Sequence, residues 1–141
     1  MIAAARVFAG ITAESIAQAD ALLTLPQLRV LVLASRLEPL SATAVAVELD
    51  VHLSTASRIC DRLVQADLLH RRDRPDDRRQ LELTLTDEGR RALDSITEHR
   101  RRVFTRILRR IGREERTVLA QALDGFVEAA EEYDFQRSLV P

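Results

Sequence analysis

The sequence contains no lysine, no asparagine and no tryptophan, and a single cysteine, Cys60. One cysteine excludes an internal disulfide and a cysteine-rich zinc site. Without lysine, all 21 basic residues are arginine, so each must be judged by its position and not by its type. Aromatic residues make up only 4% of the chain, and no run of about 18 uncharged apolar residues exists to span a bilayer. The first twenty residues are too weakly apolar, and too acidic late, to read as a secretory signal, so a cytoplasmic protein is expected. No glycine-rich phosphate loop and no nucleophile with a credible base is present, so neither an enzyme nor a cofactor is expected.

What is present fits one domain. A chain of 141 residues, 46% hydrophobic and 30% charged, is long enough for one real core and matches a helix-rich globular protein. The formal net charge is −1, so a nucleic-acid binder of this composition must separate its charges in space. Along the chain it does so. Five arginines stand against three aspartates between Arg71 and Arg79, whereas four acids and only Arg137 lie between Phe126 and the end.

Hydrophobic spacing and capping residues set the elements. Val7, Ile11, Ile16 and Ala19 recur at helical spacing in the first segment. Thr24 can cap a second helix, QLRVLVLASRL, with Pro26 in its first turn. Ser41 can cap a short helix, ATAVAVEL, with Val45, Ala46 and Leu49 inward. Ser54 can cap a fourth helix, reaching about Ala66, whose inward stripe is Ala56, Ile59, Cys60 and Leu63. Its outer side keeps Ser54, Thr55, Ser57, Arg58, Asp61 and Arg62, the composition of a helix-turn-helix recognition face. Leu68 and Leu69 lead into a charged hairpin tip, RRDRPDDRR, and QLELTL returns with period two. Thr86 caps a long helix expected to run to about Ile111, with Gly112 as its stop. A last helix, from about Arg113 to Phe135, carries a stripe of Leu119, Ala122, Leu123, Phe126, Val127, Ala130 and Tyr133.

A hairpin directly after a helix-turn-helix is a winged helix. The chain at this point resembles the MarR family of bacterial transcriptional regulators. TLPQLRVLVLAS, LDVHLSTASRICDRLVQADLLHRR, the wing DDRRQLELTLTDEG and the two closing helices carry the resemblance. The wing is the most specific part. The family pattern has an Asp, any residue and an Arg, then a Leu-Thr pair starting six positions on and a Gly three positions after the Thr. It falls here on Asp77, Arg79, Leu85, Thr86 and Gly89 without a gap. Where family members often have glycine after the recognition helix, this chain has Asp67, which tolerates a left-handed backbone.

The resemblance implies a mainly α (α+β) fold: a winged helix-turn-helix lobe over about residues 25–86, flanked by dimerisation helices at about 1–22 and 87–137. It also implies that Arg79 enters the minor groove, about 6 Å wide, with Asp77 bracing it through a charge-assisted hydrogen bond. Arg72, Arg74 and Arg78 are expected on phosphates. On the recognition helix, Ser54, Thr55 and Ser57 are short enough for the major groove, and Arg58 and Arg62 are each able to read guanine. The expected function is that of a homodimeric, ligand-responsive repressor on a pseudo-palindromic site in double-stranded DNA. Leu25, Arg29 and Phe104 stand as candidates beside a small-molecule effector. The rival reading is a winged-helix dimer that antagonises a related regulator by binding protein instead of DNA. Cys60, on the inward stripe, is expected in the core, and the scattered His52, His70 and His99 are not expected to hold metal.

Overall fold

A computed structural model describes residues 1–19, 23–73 and 81–132. In order they form α1 (Ile2–Ala17), α2 (Leu25–Arg36), α3 (Ala42–Leu49), α4 (Leu53–Gln65), β1 (Leu69–Asp73), β2 (Leu81–Leu85), α5 (Asp87–Leu108) and α6 (Arg113–Glu132). The fold is the winged helix expected from the sequence.

Caps set most boundaries. Thr24 and Gln27 form a reciprocal capping box: the Thr24 N–H donates to Gln27 Oε1 at 2.8 Å, and Thr24 Oγ1 accepts from the Gln27 N–H. Ser41 Oγ accepts from the Ala44 N–H at 3.1 Å and starts α3. Asp50, at φ 52°, and Asp67, at φ 58°, take left-handed conformations that end α3 and follow α4. Asp67 therefore takes a left-handed position that glycine occupies most easily, at modest strain.

Thr86 joins three elements. Its hydroxyl donates to the Asp67 carbonyl at 2.6 Å and accepts from the Gly89 N–H at 2.8 Å, while its own N–H donates to the Leu68 carbonyl at 3.2 Å. The start of α5 is thereby tied to the turn after α4. Gly89 is required for the same reason: a Cβ there would run into the Leu68 carbonyl oxygen.

β1 and β2 pair antiparallel from Leu69↔Leu85 to Asp73↔Leu81, and Leu40 adds a bridge to Leu83 through hydrogen bonds of 2.9 and 2.8 Å. This register turns Leu69, Leu83 and Leu85 inward. They close a core with Val30, Leu31, Ala34, Leu40, Val45, Ala56, Cys60, Leu63 and Leu68. A smaller cluster of Ala19, Leu28 and Ile96 joins the end of α1 and the middle of α5 to α2.

Three boundaries depart from expectation. α4 begins at Leu53 with His52 as N-cap, which makes no side-chain capping bond, so Ser54 lies inside the first turn. The helix start is set by the preceding turn, in which the Val51 N–H donates to the Ala46 carbonyl at 3.0 Å. α5 ends at Leu108, not Ile111. Gly112 opens α6: its N–H donates to Glu115 Oε2 and its carbonyl accepts from the Arg116 N–H, both at 3.0 Å. The acidic side chain three residues on wins over glycine's usual role as a stop. Of the inward positions predicted for α3, Val45 is buried while Ala46 and Leu49 are only partly so.

The apolar residues of the outer helices divide. Ile11 and Ala19 are buried, but Ile2, Val7 and Phe8 on α1 are exposed, as are Val118, Leu119, Leu123, Phe126 and Val127 on α6. Tyr133, predicted on the same stripe, lies outside the described residues.

Candidate nucleic-acid interface

α4 is the most sharply two-sided helix of the chain. Ala56, Cys60 and Leu63 are sealed in the core, while Ser54, Thr55, Arg58 and Arg62 are exposed on the opposite side. Arg58 and Arg62 lie one turn apart, so both guanidinium groups serve one strip of surface. Ser57 sits at the edge of that face and is half-buried. Arg72 is exposed on β1, opposite Glu82 in the register. Arg74, Asp77, Arg78 and Arg79 lie outside the described residues.

Asp61 is an acid between Arg58 and Arg62 on α4. Its carboxylate accepts from Arg71 Nη2 at 2.7 Å, linking α4 to β1 across ten residues of sequence. The pair offsets the Asp61 charge and ties the first strand of the hairpin to α4. The sequence leaves Asp61 open to pairing with an arginine or accepting from cytosine, with no choice between them, and gives Arg71 no role; their spacing carries no helical or strand period that would join them.

A second carboxylate, Glu38, was missed altogether. Glu38 Oε1 accepts from the Leu85 N–H at 3.1 Å and from Arg90 Nη2 at 3.0 Å. It pins the end of β2 and the first turn of α5 to the loop before Leu40. These partners are 47 and 52 residues away in sequence, so no local signal announces them.

Beside this clamp is a cleft of about 530 Å³ between α2 and α5. Leu28, Val32, Leu93 and Ile96 give it apolar walls, and Arg36, Arg90 and Arg100 give it three cationic groups against one acid, Asp94. Burial pushes the Arg100 guanidinium below its ordinary value. None of Leu25, Arg29 and Phe104 lines this cleft. Leu25 is exposed at the start of α2, Arg29 Nη2 donates to the Glu48 carbonyl at 3.2 Å, and Phe104 packs on Phe8 with ring centroids 5.7 Å apart.

Cys60 is 1% exposed, and burial pushes its thiol up to about 11, with the neighbouring Asp61 charge adding to the effect. Such a thiol is protonated and shielded at neutral pH, a packing group and not a nucleophile. No cluster of three potential metal ligands occurs among the described residues. His52 and His70 are exposed, and His99 Nε2 lies 3.5 Å from Glu14 Oε1, between α5 and α1. None of the described helices is long and apolar enough to cross a membrane.

A short polar-faced helix after a tight turn, followed at once by a two-stranded hairpin against the same core, defines a winged helix-turn-helix protein. Comparison with known proteins narrows the class. The chain belongs to the MarR family, whose model matches residues 23–81. Among solved structures, RV1404 from Mycobacterium tuberculosis is 40% identical, with a TM-score of 0.83 over 92% of this chain and 88% of that one. YusO from Bacillus subtilis is 27% identical, with a TM-score of 0.78 over 92% of each chain. FabT from Streptococcus pneumoniae, seen in complex with DNA, is 18% identical and shares the fold, with a TM-score of 0.71 over 92% of this chain and 93% of that one. No curated protein sequence matches the chain.

Proposed function

We propose that this chain is a sequence-specific transcriptional regulator that binds double-stranded DNA as a homodimer and acts as a ligand-responsive repressor. The observation that carries the reading is the exposed face of α4, where Ser54, Thr55, Arg58 and Arg62 lie together on a helix whose other side is sealed in the core. A major groove about 12 Å wide admits one such helix, and the two arginines are able to read guanine bidentately. Arg72, Arg74 and Arg78 take phosphates, and Arg79, braced by Asp77, takes the minor groove. FabT supports the reading as a protein of the same fold in complex with DNA.

The exposed apolar residues of α1 and α6 support a two-fold interface built from the outer helices, with residues 25–86 as the DNA-binding lobe. Two such lobes set their recognition helices about one DNA turn apart, so the operator is a pseudo-palindrome. The cleft between α2 and α5 offers an effector a seat at the joint between lobe and outer helices. A ligand that prefers a lobe spacing unfit for DNA lowers operator affinity by that preference alone. Such a regulator works in the cytoplasm, where bacterial DNA lies.

The test is fluorescence-anisotropy binding of full-length protein to DNA upstream of its own gene and to sequences selected from a random pool, across a salt series. The expected result is tight binding that falls steeply with salt and is weakened by Arg79→Ala. Binding no better than to random DNA, with no sequence enriched from the pool, overturns the proposal.

A further inference from the structure

The recognition helix opens with an apolar residue that its own fold does not use. Leu53 occupies the first position of α4, directly after His52, and is 53% exposed. Among the described residues it is the only large apolar side chain of α4 that is exposed. It contributes nothing to capping, and the core stripe of Ala56, Cys60 and Leu63 closes without it. Helical spacing puts it on the same side as Ser57, four residues on, at the border between the core-facing stripe and the polar face. Ser54, the next residue, turns toward the exposed side, while Thr55 and Arg58 lie farther round the helix.

A single exposed leucine needs no explanation on an ordinary surface. The position makes this one different. The first turn of a recognition helix is the part that reaches base edges, and the one apolar group those edges present in the major groove is the C5-methyl of thymine. The hydroxyls and guanidinium groups of the polar face serve polar partners, leaving Leu53 as the group suited to that methyl.

We infer that Leu53 is a specificity-determining residue that reads the C5-methyl of one thymine in each half-site. The inference rests on the DNA-binding reading above. Contact with the methyl distinguishes thymine from cytosine, which lacks it, and fixes the orientation of the base pair, because only one strand presents the methyl at that step. Ser57, one turn on at the edge of the polar face, would supply the polar half of the same readout.

The experiment begins with operators selected from a random pool by the full-length dimer. Each thymine of a half-site is then replaced singly by deoxyuridine, which removes the methyl and nothing else. Binding of wild type and Leu53→Ala is measured by anisotropy on every duplex. At one thymine, loss of the methyl is expected to weaken wild-type binding about four-fold, the worth of one buried methyl group, and to leave Leu53→Ala unaffected. Leu53→Met, which keeps an apolar side chain of similar volume, is expected to retain the methyl sensitivity. Leu53 is exposed, so Leu53→Ala should unfold at the wild-type temperature; a matching thermal midpoint separates lost contact from lost fold.

The proposal is overturned if wild-type binding tolerates deoxyuridine at every position. It is equally overturned if deoxyuridine weakens wild type and Leu53→Ala to the same extent. In both cases an enriched operator leaves the DNA-binding reading standing. A pool that yields no enriched sequence sinks both together.

Discussion

The winged-helix lobe and the outer helices solve opposite problems. In the lobe, α2, α3, α4 and the hairpin bury Leu31, Val45, Leu63 and Leu83 almost completely, and the chain closes that core on itself. In the outer helices the same kinds of residue stay in solvent: Phe8 is 43% exposed on α1, and Phe126 is 62% exposed on α6. The difference teaches which part is self-sufficient. The lobe has its own core, whereas α6 carries an apolar stripe that the other described residues leave open.

The sharpest way to break the comparison is to remove one leucine from each region. Leu63→Ala opens a cavity in a sealed core and is expected to cost about 2–5 kcal/mol by denaturant unfolding, independently of protein concentration. Leu123→Ala, on α6, is expected to leave the lobe's own stability nearly unchanged. It should raise the dimer dissociation constant about ten-fold or more by sedimentation, because a two-fold interface loses the side chain twice. Equal losses of stability in the two variants would mean that the regions are not separate in this way.

Thr86 stands where the two regions meet, and it tests how firmly they are coupled. Thr86→Ala removes the N-cap of α5 together with the bond to the Asp67 carbonyl. A loss of about 1–2 kcal/mol is expected. Because the same hydroxyl joins α5 to the turn after the recognition helix, operator affinity should fall by more than the affinity for random DNA. A stability loss with an unchanged operator-to-random ratio would confine Thr86 to capping.

What the sequence made legible, and what it hid, follows the range of the interactions. The caps at Thr24, Ser41 and Thr86 act over three residues, and each was visible because donor and acceptor lie in one short stretch. The return strand was visible through its period of two, and Asp67 through the left-handed turn that a short polar side chain tolerates. The start of α4 was misread because His52 caps without a side-chain bond, so the nearby serine looked the better candidate. Gly112 was misread because the rule for glycine after a helix competes with the rule for an acid three residues into the next one, and the acid won. Glu38, the Leu40 bridge and the cleft between α2 and α5 depend on contacts tens of residues apart, and nothing local records them. The wing's Arg74, Asp77, Arg78 and Arg79 were named from pattern alone and lie outside the described residues.

The smallest effect concerns charge, not packing. Asp61 and Arg71 are each about half exposed, so their 2.7 Å ion pair contributes less than about 1 kcal/mol to stability. Its consequence lies on the face proposed to meet DNA. Asp61→Ala removes an anion from the strip carrying Arg58 and Arg62, and it frees Arg71 to neutralise one more phosphate. Binding to random DNA should therefore tighten, and its dependence of log K on log salt should steepen by about 0.9 for each protomer, about 1.8 for the dimer. Operator binding should gain less, because Arg71 then no longer holds β1 at a fixed angle to α4, and part of the discrimination depends on that angle. The measurement is a salt series on operator and random duplexes with wild type and Asp61→Ala. An unchanged slope on random DNA would mean that Arg71 never reaches phosphate. An unchanged ratio of the two affinities would mean that the α4–β1 pair serves the fold and not the reading of sequence.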